Sequence, residues 1–207
     1  MLQRTKGRLL LALLVITGMA GTPGNMTLSA EERKFCVGQL KKSRNELISS
    51  LNKLSPQQLS FHPPDHSSSI QEHIYHLAIT EKAMDEKLQL AMKSPAPLNE
   101  RLDVHYSDSR LLELASTTGH DLFPDATTGS YAFNWPSAAL ALESFKITRT
   151  SQAKYIRNTT ENFRNHVVQT EIGNIDCYQL LLIMLSHSNY HLQQIREIMN
   201  HSMFPGS

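Results

Sequence analysis

Apolar residues return every three or four positions in four separate stretches, the spacing of helices that bury one side. The first stretch opens at Ser29-Ala-Glu-Glu32, a capping box in which each side chain satisfies the other residue's backbone N–H. Val37, Leu40, Leu47, Leu51 and Leu54 then share a side, with Arg44 interrupting it, and Ser55-Pro56 ends the helix near Leu54. A proline-bearing loop, FHPPDHSS, leads to a second box at Ser69-Ile-Gln-Glu72. The helix it predicts runs to about Lys93, with Ile70, Ile74, Leu77, Met84 and Leu88 on one face and Glu81 inside that face.

Residues 94–136 lose the period; prolines, glycines, serines and aspartates recur, and only Ser109 to Ser116 reads as helical. This connection is far longer than a turn, so it is either a crossover along a bundle or a lid. Tyr131, Phe133 and Trp135 near its end either pack onto the bundle or line a pocket. A third helix is predicted from about Ser137 to Phe163 on a thin stripe: Ala138, Leu142, Phe145 and Ile156. The last begins at Asp176, with Gln179 completing the cap, and runs to about Asn200. Repeats and strand-like alternation are absent from the pattern. The class is all-α, a four-helix bundle with its long connection between the second and third helices.

The last helix carries an oddity. At 100° per residue, Leu180, Met184, His187, His191, Ile195 and Ile198 fall in one narrow arc, while Asn189, Arg196 and Asn200 lie elsewhere. Both histidines therefore point inward. Two neutral imidazoles in an apolar core need partners for all their ring nitrogens. A metal ion satisfies one nitrogen on each ring, and the i, i+4 spacing aims both at the same point. Bonding to nearby core side chains is the other solution.

A third ligand would come from another helix, and His73 and His76 in SIQEHIYHLAITE are the candidates. If the second and fourth helices were parallel, His76 would sit about 10 Å from its helix start and the His187/His191 pair about 17–22 Å from theirs. Run antiparallel, they fall within about a turn of each other. That needs an up-down-down-up order, which the long connection allows. The same order brings Cys36 towards Cys177.

Composition narrows the function. Formal net charge is +1, with both signs scattered, so no basic footprint for DNA or RNA exists. There is no Walker loop or dinucleotide-binding glycine turn. The start, MLQRTKGRLLLALLVITGMAGTPG, sets Arg4, Lys6 and Arg8 before an apolar run from Leu9 to Ala20, too short to span a bilayer comfortably. Gly18 and Ala20 suit cleavage before Gly21. Residues 1–20 read as a secretory signal peptide, with an uncleaved anchor as the alternative, and 21–207 as a single exported domain, periplasmic or extracellular, with no stable membrane anchor after cleavage. Cys36 and Cys177 either form a disulfide, which such a compartment permits, or stay as separate buried thiols. Asn25, Asn158 and Asn200 each begin an N-x-Ser/Thr sequon.

Two familiar metal sites are excluded. A zincin needs H-E-x-x-H, and Ser188 follows His187. A di-iron bundle needs E-x-x-H pairs, but Met184 and Ser188 stand three before the two histidines.

With LSPQQLSF before the second helix, SIQEHIYHLAITE at its start and HVVQTEIGNIDCYQLLLIMLSHSNYHLQQIREIM at the end, the chain resembles the DinB-like family of four-helix-bundle metalloenzymes. The resemblance covers most of residues 21–207. It implies a metal held by three histidines, one on the second helix and an H-x-x-x-H pair on the fourth: His76, His187 and His191. The family pattern S-I-x-E-x-x-x-H-L selects His76 and leaves His73 in a position usually apolar, whereas the angles alone put His73 nearer the centre of the arc. Two departures stand out. Ser68 occupies a position where relatives often carry a tryptophan, and the export signal contrasts with cytoplasmic relatives. Some relatives use low-molecular-weight thiols, which are scarce outside the cytoplasm. Relatives also dimerise through helix faces, so a homodimer is consistent with the family.

Three neutral histidines leave a divalent ion positively charged with open positions, able to acidify water or bind a thiolate. All-histidine ligation does not choose among zinc, nickel and iron. Hydrolysis of a small-molecule substrate suits an exported protein best. Glu81 is the candidate general base, with a pKa raised by burial; an ion pair to a neighbouring helix is its alternative role. A metal- or ligand-binding bundle without turnover, or a core in which no metal binds, would use the same fold. His62, His66, His105, His120, His166 and His201 receive no role.

Overall fold

The computed structural model describes residues 27–64, 68–94, 104–118 and 135–206. Four long helices form the body: α1 (Ala30–Leu51), α3 (Ile70–Lys93), α5 (Ala138–Asn158) and α6 (Cys177–Met199). Between them come two short helices, α2 (Pro56–Leu59) and α4 (Asp108–Thr118), and a hairpin of β1 (Val167–Thr170) and β2 (Gly173–Asp176). No helix among the described residues is long and apolar enough to cross a membrane.

The capping boxes read from the sequence are present at Ser29/Glu32, Ser69/Glu72 and Asp176/Gln179, and a fourth at Ser55/Gln58 starts α2. Each cap is worth about 1 kcal/mol and fixes where its helix begins. In the bundle α1 and α3 each pack against both α5 and α6. Ser43 and Arg44 on α1 meet Arg149 and Thr150 on α5, while Arg33 reaches the carbonyl of Ile156, so α1 and α5 are antiparallel. His73 and His76 on α3 meet His191 and His187 on α6, again antiparallel. Glu46 pairs with Arg196 near the far ends of α1 and α6, which run parallel. The order is up-down-down-up.

The apolar core is in two parts. One, around Leu40, Met84, Leu88, Ile156, Phe163 and Leu181, fills the end where α1 and α6 begin. The other, around Leu47, Ile70, Leu77, Phe145 and Ile195, fills the opposite end. Between them lies a belt of buried polar side chains: Ser43, Thr80, Glu81, Arg149, Gln152, His187, Ser188 and His191. The thin stripe of α5 has this cause, because Arg149 and Gln152 continue it at helical spacing from Phe145 to Ile156.

The structure differs from the sequence expectation in several places. The first helix stops at Leu51 and the third at Asn158, where the following Thr159 is extended (ψ 143°). The helical stretch within the connection spans Asp108–Thr118 and packs on α6, with Leu111, Leu112 and Ala115 buried, so these residues are part of a packed crossover. The hairpin was not expected. Its four-residue strands are too short to show alternation, and Gly173 takes the positive φ of 108° that its turn requires. Cys36 and Cys177 are buried free thiols. Trp135 is half-buried against the second core, whereas Tyr131, Phe133 and the segment assigned to export lie outside the described residues.

Candidate metal centre

Local rules place the histidines. Glu72 Oε2 accepts from the Ser69 N–H at 2.8 Å, so α3 starts there and His73 and His76 fall in its first two turns. Asp176 Oδ1 accepts from the Gln179 N–H at 2.8 Å, which sets His187 and His191 in the third and fourth turns of α6. Antiparallel packing then brings the two sets to one level.

His76 Nε2 lies 3.0 Å from His187 Nε2, and His187 Nε2 lies 3.1 Å from His191 Nε2. The ligand atoms of all three fall within 4.8 Å of one another. His187 and His191 are 3% and 4% exposed, and the half-buried His76 marks the side nearest solvent. Thr80 Oγ1 stands 3.5 Å from His76 Nε2, and the edge of Tyr190 meets the His191 ring at 5.2 Å between centroids.

This donor set fits a divalent ion. Three ring nitrogens face one another, and a divalent ion among them would take one lone pair from each. Tetrahedral metal–nitrogen bonds of about 2.1 Å place neighbouring ligand nitrogens about 3.4 Å apart, close to the separations here. The set does not discriminate among zinc, nickel and iron.

His73 is not one of the three converging residues. Its Nδ1 meets His191 Nδ1 at 2.9 Å, on the edge of that ring opposite the cluster. Glu81 is also outside the cluster. Its carboxylate, 1% exposed, accepts from Arg149 Nη2 at 2.7 Å, and Ser188 Oγ lies 3.5 Å away. Burial pushes the Glu81 carboxyl up, against the pull of Arg149. Glu81 thus makes the ion pair with a neighbouring helix that was its alternative role.

Among the remaining histidines, His62 faces Glu72 at 3.4 Å, His166 Nδ1 bonds the Ala91 carbonyl and His201 accepts from the Met203 N–H. His105 is exposed, and His66 and His120 lie outside the described residues. Two arginines that matter escaped sequence reasoning. Arg149 donates to Glu81, Ser43, Ser188 and the Met184 carbonyl; its signal was a cation at a stripe position of α5. Arg164 bridges Glu32, Asp108 and Asp176 and lies 4.1 Å over the Tyr178 ring. It sits between elements, where no period could flag it.

The model of the DinB superfamily matches residues 39–195, and the chain belongs to that superfamily. Among solved structures it is similar to one described as "YfiT from Bacillus subtilis is a probable metal-dependent hydrolase with an unusual four-helix bundle topology". The two share 15% identity at a TM-score of 0.58, covering 84% of this chain and 89% of the other, a likeness of fold. No curated protein matches.

Proposed function

We propose that this DinB-superfamily chain is an exported metal-dependent enzyme, hydrolase-like in its chemistry, acting on a small molecule. The observation that carries the reading is the convergence of His76, His187 and His191 Nε2 atoms at the edge of a buried polar belt. These three residues hold the ion, which supplies a Lewis acid able to acidify water or bind a thiol. The half-buried His76 leaves an approach from solvent, and Thr80 Oγ1 beside it offers a hydrogen bond to whatever enters. The description of the Bacillus subtilis protein as a probable metal-dependent hydrolase supports the same chemistry. Export rests on the basic and apolar pattern of residues 1–20, and water is the cosubstrate such a compartment supplies.

A second reading is a bundle that holds a metal or ligand without turnover. It is favoured by the pairing of Glu81 with Arg149, which ties up the one carboxylate inside the α3 stripe.

The test is metal content of protein purified without a metal-binding tag, beside His187→Ala/His191→Ala. Near one ion per chain, lost in the double variant, is expected, followed by metal-dependent cleavage in a screen of activated esters and amides. Absence of metal after reconstitution with zinc, nickel and ferrous iron would overturn the enzyme reading and the metal-holding form of the second. Stoichiometric metal with no turnover in that screen or in thiol-transfer assays would leave the second.

A further inference from the structure

We infer that His73 is a positioning residue for the metal centre: it accepts a hydrogen bond from His191 Nδ1 and thereby fixes the tautomer and orientation of that ligand. The inference rests on the metal-centre reading above and adds a fourth histidine to it.

The geometry carries the argument. His191 turns its Nε2 towards His187 Nε2 at 3.1 Å and its Nδ1 towards His73 Nδ1 at 2.9 Å. The two nitrogens of one imidazole face opposite ways, so His73 stands behind His191. The rings are tilted by 55° with centroids 5.1 Å apart, an edge meeting and not a stack. Both side chains are buried, His73 at 9% exposure, so water competes little for this bond. A neutral imidazole carries one proton. If His191 gives the Nε2 lone pair to a metal, its proton must sit on Nδ1, and His73 Nδ1 must be the acceptor. His73 is then the Nε2–H tautomer. A donor bond of this kind holds the ligand ring in place and raises its basicity, and losing one typically weakens metal binding about 10–100-fold.

Sequence context agrees. His73 and His76 share one side of α3 three residues apart, so the element that supplies one ligand also braces another. An apolar residue at position 73 would fill the space but offer no acceptor.

The experiment is a competition titration of zinc against a chromophoric chelator, on wild type, His73→Leu and His73→Asn. Visible spectra of the cobalt-substituted proteins accompany it. Expected is one zinc per chain in all three, with His73→Leu binding about 10–100-fold more weakly. His73→Asn, whose Oδ1 can stand where Nδ1 was, should recover most of the loss. Nitrogen-15 correlation spectra of the zinc-loaded wild type should show His191 protonated at Nδ1 and His73 at Nε2, a readout that needs no variant to fold. Equal affinity in His73→Leu, or the opposite tautomers, overturns the inference. So does a changed cobalt spectrum in both variants, which would make His73 a ligand. A wild type that binds no zinc fails the metal centre itself, an outcome distinct from these.

Discussion

Arg149 on α5 places its Nη2 2.7 Å from the Glu81 carboxylate on α3, and the two side chains are 0% and 1% exposed. The pair lies where the apolar core is interrupted, and through Ser43, Ser188 and the Met184 carbonyl it touches all four long helices. It therefore sets the level at which the helices meet, and with it the level of His187 beside Ser188.

Removing one partner strands a buried charge, whereas removing both leaves space that apolar groups can fill. Arg149→Met should cost about 3–5 kcal/mol in urea unfolding, and Glu81→Leu a similar amount. The double variant Glu81→Leu/Arg149→Met should recover most of that loss. Gln152 also hydrogen-bonds the Glu81 carboxylate, so the pair is embedded in further polar contacts. Additive losses in the double variant would show that the two residues act independently.

Metal binding should stabilise the fold, because the ligands come from two antiparallel helices that separate on unfolding. At about 100 times the dissociation constant the gain is about 2.7 kcal/mol, or about 5–10 °C in Tm for a chain of this size. Zinc, nickel and ferrous iron are the ions to scan by calorimetry, with chelator as the control. His187→Ala/His191→Ala should show no gain with any of them. A gain that survives in that variant would place the binding elsewhere.

The helices, their order and the histidine level were legible because capping boxes and apolar periods are local signals. Ser29, Ser69 and Asp176 mark where three helices begin, and rise per residue then does the rest. The hairpin was not legible, since Val167–Thr170 and Gly173–Asp176 are shaped by pairing and by contact with α3 and α6. Nor was the partner of Glu81: periodicity shows that a carboxylate is buried but not what faces it. Position 73 illustrates the same limit. The wheel put His73 nearer the arc centre than His76, yet arc position says nothing about which ring nitrogen meets which neighbour.

Arg164 joins the start of α1, the start of α4 and the cap of α6 through Glu32, Asp108 and Asp176. Arg164→Met should cost about 2–3 kcal/mol near neutral pH, since three carboxylates then face each other without their shared cation. The sign of the pH dependence follows. Burial already raises the Asp176 carboxyl from 3.8 to about 6 against the pull of Arg164; without the cation it holds its proton more tightly still in the folded state, so acid stabilises the variant relative to wild type. The deficit should shrink as pH falls from 7 towards 4, with faster amide exchange across 108–118 at pH 7. A deficit independent of pH would assign the loss to packing on Tyr178 alone.

The two buried cysteines should be chemically silent in the folded protein. Burial is the main cause in both: it pushes the Cys36 thiol well up, with Glu32 adding to it, and raises Cys177 from 9.0 to about 12. A thiol reagent at pH 8 should label neither until denaturant is added, and then both, as the thiolate is the reactive form. The linkage has a definite sign. Above pH 9 the unfolded chain releases these protons while the folded chain keeps them, so stability falls with rising pH by up to about 1.4 kcal/mol per unit per thiol. For Cys177 the window runs from about 9 to about 12. Metal-free Cys177→Ala should therefore lose stability less steeply than metal-free wild type between pH 9 and 11. Parallel slopes would show that the thiol titrates alike in both states, and a denatured chain without two reactive thiols would show that the cysteines pair.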